Sequence, residues 1–394
     1  MNAEANFLES LGLEFGQQRS RDVLALYLKG LRTSRHRRTL ANVADAVCSD
    51  PAEASRLVER FNYQLNDRHD RTGISWAPEL MKAVARRALA QLQPHSLQAF
   101  QLVRMPAPRL GSGLIRSRDV VSGSAQMVAS LLAVGRGPTG DTEGFPIGWK
   151  LALDGWTVED FARAGMERTM HDTEQLSVSA ASMLADVRMW GLPDLPIFAS
   201  ASFAELRFVW LSAGRSYVVQ WQMPKAEATV AVPERPRSPA LTFAEELAQL
   251  DEPESALQDE IAQRSGTYWR DVRRPTTQRT RRGVALRTDL VSRWGTQETD
   301  VEIGDSVWCA HLPPASHAAV VDRILDYDML CQDASAVYTS ALPTLGLNDY
   351  RGRRLTGWYA HRALVSAAHL LTREEAWARR SRTPSMPTAR AESN

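Results

Sequence analysis

The sequence predicts a mixed α/β protein, with a central sheet flanked by helices, a helical N-terminal domain in front of it and an inserted segment within it. Three observations carry this. Up to about residue 93 the apolar residues recur at helical spacing. From residue 97 short runs rich in β-branched and aromatic residues take over. Between 224 and about 282 the composition shifts to Pro, Glu and Arg, after which strand character returns. Of 394 residues, 44% are hydrophobic and 24% charged, which is enough apolar material for a sizeable core.

Within the helical region, 22–31 carries an apolar stripe, and Asp50-Pro51-Ala52-Glu53 offers an N-cap, a proline at the first helical position and a glutamate at the third. Strands are expected at 97–103, 125–134 and 147–153, the last alternating Trp149, Leu151 and Leu153, and three such neighbours suit a meander. Thr157-Val158-Glu159-Asp160 has the form of a capping box. The longer helix predicted over 172–190 places Leu176, Ala180, Met183, Leu184, Val187 and Trp190 on one stripe. A buried strand at 195–199, a helix at 203–211 and a strand at 215–222, with Tyr217, Val219 and Trp221 on one face, imply a parallel pair with a right-handed crossover. The insertion holds one helix, 242–263; a strand follows at 300–312, then helices at 316–341 and 357–371, and a polar tail from 381. The expected division is therefore a helical domain 1–93, the sheet domain in two parts, 94–223 and 299–376, a linker with a basic arm at 224–298, and a disordered tail at 377–394.

Several classes are excluded. Cys48, Cys309 and Cys331 lie far apart with no CxxC pair, which argues against a zinc site or a disulfide framework and for buried thiols. The longest apolar run, near 127–135, is far short of the roughly 20 residues that span a bilayer. The first sixteen residues hold Glu4, Glu9 and Glu14 and no basic stretch of a secretory signal, so a cytoplasmic, bacterial protein is expected. His171-Asp172-Thr173-Glu174 sets a histidine beside two acids, but at a helix start, where acids favour the positive dipole end, and is not read as a metal site.

Net charge is only +1, so the distribution matters more than the sum. One basic cluster holds Lys29, Arg32, Arg35, His36, Arg37 and Arg38. A denser one holds Arg270, Arg273, Arg274, Arg279, Arg281, Arg282 and Arg287, preceded by Tyr268 and Trp269. A solvated face is the plain reading of the first, and a polyanion contact is favoured for the second. Arg35, Arg37, Arg38, Arg270, Arg273, Arg274, Arg279, Arg281 and Arg282 are the nucleic-acid candidates.

Three segments carry a resemblance. Gly346-Leu347-Asn348-Asp349-Tyr350-Arg351-Gly352-Arg353-Arg354-Leu355-Thr356-Gly357-Trp358-Tyr359-Ala360-His361 is followed by the apolar helix 363–371. Phe145-Pro146-Ile147-Gly148-Trp149-Lys150-Leu151-Ala152-Leu153 precedes Trp156, Asp160, Arg163 and Ala164. Ile197-Phe198-Ala199-Ser200-Ala201-Ser202-Phe203-Ala204 precedes Arg215-Ser216-Tyr217-Val218-Val219. Together they resemble the insertion-sequence DDE transposases, the DDE superfamily endonucleases, over about 97–371. Asn348 departs from the family's Gly-Leu-Asp. The order of three antiparallel strands, helix, strand, helix, strand, insertion and last helix is that of an RNase H-like domain, the fold this resemblance implies.

DDE enzymes hold two divalent cations between three carboxylates that drive in-line displacement at phosphorus. The resemblance places the first acid at the end of the first strand, where Arg104 and Met105 stand; the second at Ser200; and the third at Ser335, with Tyr338 on the family's tyrosine, Leu342 on its lysine and Cys331 on its arginine. Asp119, Glu205 and Asp333 lie near enough to serve under another register. Ser200 and Ser335 otherwise read as cap or packing residues, Trp358, Tyr217, Trp221 and Tyr338 as core, and His361 as a hydrogen-bonded histidine with a ligand role as the alternative. No metal and no cofactor are expected. The expected function is a catalytically inactive, domesticated transposase homologue that keeps DNA binding in a regulatory or architectural role. The alternative is a metal-independent enzyme of secondary metabolism in the vacated cleft, using Glu205, Tyr217, Tyr338, His361, Ser200 or Arg104; a decaying gene product is the third option. DNA or a small molecule is the expected partner, with no membrane and with a homodimer left open.

Overall fold

The computed structural model describes residues 3–13, 18–66, 76–106, 127–152, 176–200, 202–203, 215–222, 229–230, 241–242, 268–271, 278–279, 285–293, 296–303, 306–312, 317–350 and 355–382. They form a mixed α/β structure in two compact units. The first comprises Met1–Gln98, Met105–Leu192 and Gln332–Asn394; the second comprises Ala99–Arg104 and Pro193–Cys331.

In the first unit, helices α1 (Ala3–Ser10), α2 (Gln18–Thr33), α3 (Leu40–Asp45), α4 (Pro51–Asn66) and α5 (Trp76–Gln91) precede the strands. The stripe predicted over 22–31 is buried: Val23, Leu24, Tyr27, Leu28 and Leu31 recur at helical spacing and face the core of α2. Gly30 lets α3 approach, since a Cβ there would meet the Val43 carbonyl oxygen at 2.5 Å. The cap predicted at Asp50 is present, its carboxylate accepting from the Ala52 N–H at 3.1 Å ahead of Pro51. Strands β2 (Met127–Arg136) and β3 (Thr142–Ala152) pair antiparallel, with a register shift at Leu131/Leu132. They are covered by α6 (Leu176–Met189), the described part of the helix predicted over 172–190.

The axis of this unit is α9 (Leu355–Arg382), introduced by the last turn of α7 (His317–Ser335, which through Cys331 belongs to the second unit), a 3-10 turn (Ala336–Tyr338) and the short α8 (Ala341–Thr344). Between Trp358 and Leu371 nearly every side chain of α9 is buried, because α2, α4, α5 and β3 all pack around it. Its C-terminal half is held by ion pairs. Arg32 bridges Glu4 at 2.6 Å and Glu375, Arg87 meets Glu374 at 2.6 Å, and buried Glu143 accepts from Arg373 and from the Trp377 indole N–H. The helices of residues 1–93 belong to the same compact unit as the C-terminal helix.

In the second unit β1 (Ala99–Pro106), β4 (Ile197–Ala199) and β5 (Tyr217–Gln222) run parallel, as the strand–helix–strand pattern implied for the last two. Strands β6 (Thr229–Val230) and β7 (Leu241–Thr242) form a separate pair. Strands β8 (Tyr268–Asp271), β9 (Gln278–Arg279), β10 (Ala285–Arg293), β11 (Thr296–Ile303) and β12 (Ser306–His311) extend the sheet antiparallel from β5. Here the expectations need correcting. Residues 268–298 are not a bare linker but supply three strands and the start of a fourth, and the single strand expected at 300–312 is two, β11 and β12. Thr242, expected to open a helix, lies in β7; the rest of that helix, residues 204–211 of the one before β5, and the tail from 383 lie outside the described residues. The last helix runs 355–382 rather than 357–371, because its later turns are anchored by the charged pairs above.

Candidate functional sites

In the second unit the parallel register sets Leu102 beside Ala199, the last residue of β4, and the β1–β4 pairing stops there. Just past it stand Arg104, still within β1, and Ser200. Arg104 is exposed and its Nη1 donates to Ser202 Oγ at 3.3 Å, while the Ser200 carbonyl accepts from the Phe203 N–H at 3.0 Å and closes a tight turn. A guanidinium and two hydroxyls therefore occupy these strand ends, a set that attracts phosphate or carboxylate rather than a divalent cation. Tyr217 is fully buried, its ring 5.9 Å from that of His311. Asp119 and Glu205 lie outside the described residues, and nothing is described of the Trp221 side chain.

In the first unit Met105 is half-buried and Ser335 ends α7 without capping the turn that follows. Asp333 is exposed and accepts from Thr142 Oγ1 at 3.5 Å. The Tyr338 hydroxyl donates to Ser130 Oγ at 2.6 Å, and Ser130 in turn donates to the Gly148 carbonyl at 3.1 Å. Burial pushes the Tyr338 phenol well up, so it stays a neutral donor. Among the described residues no group of three His, Cys, Asp or Glu side chains is placed to hold a metal ion. Cys331 is buried and Cys48 half-buried, both as free thiols.

The Gly346–His361 segment works as a structural latch. Gly346 has φ +85° and ends α8 in a Schellman motif, with the Leu347 N–H on the Leu342 carbonyl and the Gly346 N–H on the Pro343 carbonyl, both at 3.0 Å. Asp349 accepts from the Arg38 backbone N–H at 2.8 Å. His361, wholly buried, donates from Nε2 to the Gly346 carbonyl at 2.8 Å and accepts at Nδ1 from the Tyr27 hydroxyl at 2.9 Å. Burial lowers its pKa to about 4, so the ring is neutral and both nitrogens are spent. His369 is likewise lowered to about 4 by burial, with Nε2 on the Gly144 carbonyl at 3.2 Å.

The basic candidates separate. Arg35 and Arg37 are exposed, with Arg37 Nε 3.8 Å from Asp349. Arg38 is turned inward, donating to the Leu31 and His36 carbonyls, and burial lowers its pKa. Arg270 lies on β8 and Arg279 on β9; Arg273, Arg274, Arg281 and Arg282 lie outside the described residues.

One group escaped the sequence reading. Arg362 on α9 is 1% exposed, and its guanidinium carbon lies 4.8 Å from the ring centres of both Trp149 and Trp358. Its Nε and Nη1 have no hydrogen-bond partner, nor has the Trp358 indole N–H, whereas the Trp149 N–H is bonded to Ser366 Oγ at 3.0 Å. Burial pulls the Arg362 pKa down to about 9. The available signal was one arginine at the head of a run, 363–368, that is apolar but for Ser366.

No protein-family model matches the sequence, and no curated protein matches it. No helix among the described residues is long and apolar enough to cross a membrane.

Proposed function

We propose that the chain is a DDE-transposase-like, RNase H-like scaffold that binds DNA without cutting it. One observation carries this reading. Where the pairing of β1 with β4 stops, the position at which such a scaffold would carry metal-binding acids, the chain presents Arg104 hydrogen-bonded to Ser202, with Ser200 following β4. A cation at that place repels Mg²⁺ and attracts a phosphodiester. Exposed Arg35 and Arg37 supply further phosphate contacts. With a net charge of +1, affinity rests on these local clusters, and binding is correspondingly salt-sensitive.

The test is fluorescence anisotropy of a labelled duplex titrated at 50 and 200 mM KCl. The expected result is binding whose log K falls linearly with log salt, and a slope shallower by about one unit for each arginine removed in Arg37→Ala and Arg104→Ala. Plasmid incubated with Mg²⁺ or Mn²⁺ stays supercoiled. Failure to bind at 50 mM salt, or metal-dependent nicking by the wild type, overturns the proposal.

A further inference from the structure

The burial of Arg362 is energetically incomplete as it stands. An ionised guanidinium taken out of water loses several kcal/mol of hydration and the hydrogen bonds of its N–H groups, and an aromatic ring beneath it returns about 2 kcal/mol without accepting from those N–H groups. Trp149 and Trp358 cover the group, yet Nε and Nη1 donate to nothing. Natural proteins pair a buried arginine with a carboxylate, and none is bonded to this one. The neighbouring polar groups do not supply that charge, since the Tyr338 hydroxyl is neutral and donates to Ser130, and the Trp149 N–H is itself a donor, bonded to Ser366.

The location adds to the argument. Side chains of a helix point back toward its N-terminus, so Arg362 reaches over Trp358, one turn earlier and on the same face. The guanidinium thus lies over the ring of Trp358, a residue of the first turn of α9, a helix of 28 residues whose N-terminal end carries partial positive charge. Two unpartnered donors, the guanidinium and the Trp358 indole N–H, meet the positive end of a helix dipole.

We propose that the first two turns of α9 form a binding site for a small oxyanion, a carboxylate or a phosphate group, received by Arg362 with the Trp358 indole N–H beside it. The site lies in the first unit and owes nothing to the DNA-binding reading, which rests on exposed arginines. Its occupant is a free small molecule, because a 1% exposed guanidinium is out of reach of a duplex backbone.

The test is a thermal melt of the full chain with sodium acetate or sodium phosphate against sodium chloride at matched ionic strength. The expected result is a saturable rise in Tm with acetate, phosphate or both, about 4 °C or more at a hundredfold excess over Kd, and none with chloride. Arg362→Met abolishes the rise. Trp358→Phe keeps the ring face and removes the N–H, and raises the half-saturating anion concentration about tenfold. A response to acetate alone identifies a carboxylate ligand, and one to phosphate alone a phosphate. No saturable rise in the wild type, or an equal rise in Arg362→Met, overturns the proposal. If the methionine variant does not fold, Trp358→Phe decides, and an unchanged half-saturating concentration overturns it.

Discussion

Mild acid should loosen the first unit, because two of its buried histidines are held neutral. His361 and His369 have pKa values near 4 when folded, against 6.5 in an unfolded chain. Between those values the unfolded state binds more protons than the folded one, so stability falls as pH drops through the window from about 6.5 to 4 and is fully present above it. At pH 5 the loss is about 2 kcal/mol for each histidine, about 4 kcal/mol for both, and close to zero at pH 7.5. With a urea slope of about 3 kcal/mol per molar, the unfolding midpoint should move down by about 1.3 M between pH 7.5 and pH 5. Equilibrium unfolding followed by far-UV circular dichroism at the two pH values reads this directly. His361→Gln keeps a donor for the Gly346 carbonyl and removes one titration, so it should retain about half of the pH-dependent shift, whatever its stability at pH 7.5. A wild-type midpoint equal at both pH values, or a full shift remaining in the His361→Gln, His369→Gln double variant, would refute the reasoning.

Two further predictions concern what fastens the helices together. Gly346→Ala puts a side chain at φ +85° and a Cβ 2.5 Å from that of Arg38, so it should cost about 2–3 kcal/mol, measured as a lowered urea midpoint; a wild-type midpoint would show that the latch tolerates rearrangement. Glu143→Ala removes a 4% exposed carboxylate that accepts from both Arg373 and Trp377 and should cost about 3 kcal/mol, with Trp377 fluorescence shifting as the indole loses its partner. An unshifted emission and an unchanged midpoint would place the anchoring of α9 elsewhere.

What the sequence disclosed depended on whether side-chain pattern or backbone pairing decides the local structure. Trp149 and Leu151 of β3 alternate with more polar neighbours and are buried as their period predicts, and the N-cap at Asp50 is the one its tetrapeptide announces. Strands β10 and β11 give no such signal. Their register pairs Arg287 with Glu302 and Asp289 with Asp300, so polar residues stand opposite one another and main-chain hydrogen bonds carry the pairing, leaving a stretch that reads as linker. The site residues divide along the same line. Arg104 and Ser200 are singled out by the resemblance, and the apolar runs before them mark the strands. Arg362 has no such marker, since an arginine on a helix ordinarily reaches solvent, and only the packing of α2, α4, α5 and β3 around α9 removes every exposed face. The most specific motif in the chain, Gly346 to His361, was legible as a motif but not in its role. A glycine at positive φ, a histidine bonded at both nitrogens and an aspartate holding the Arg38 backbone define a junction between helices. The residues of such a junction answer to packing rather than to a metal or a substrate.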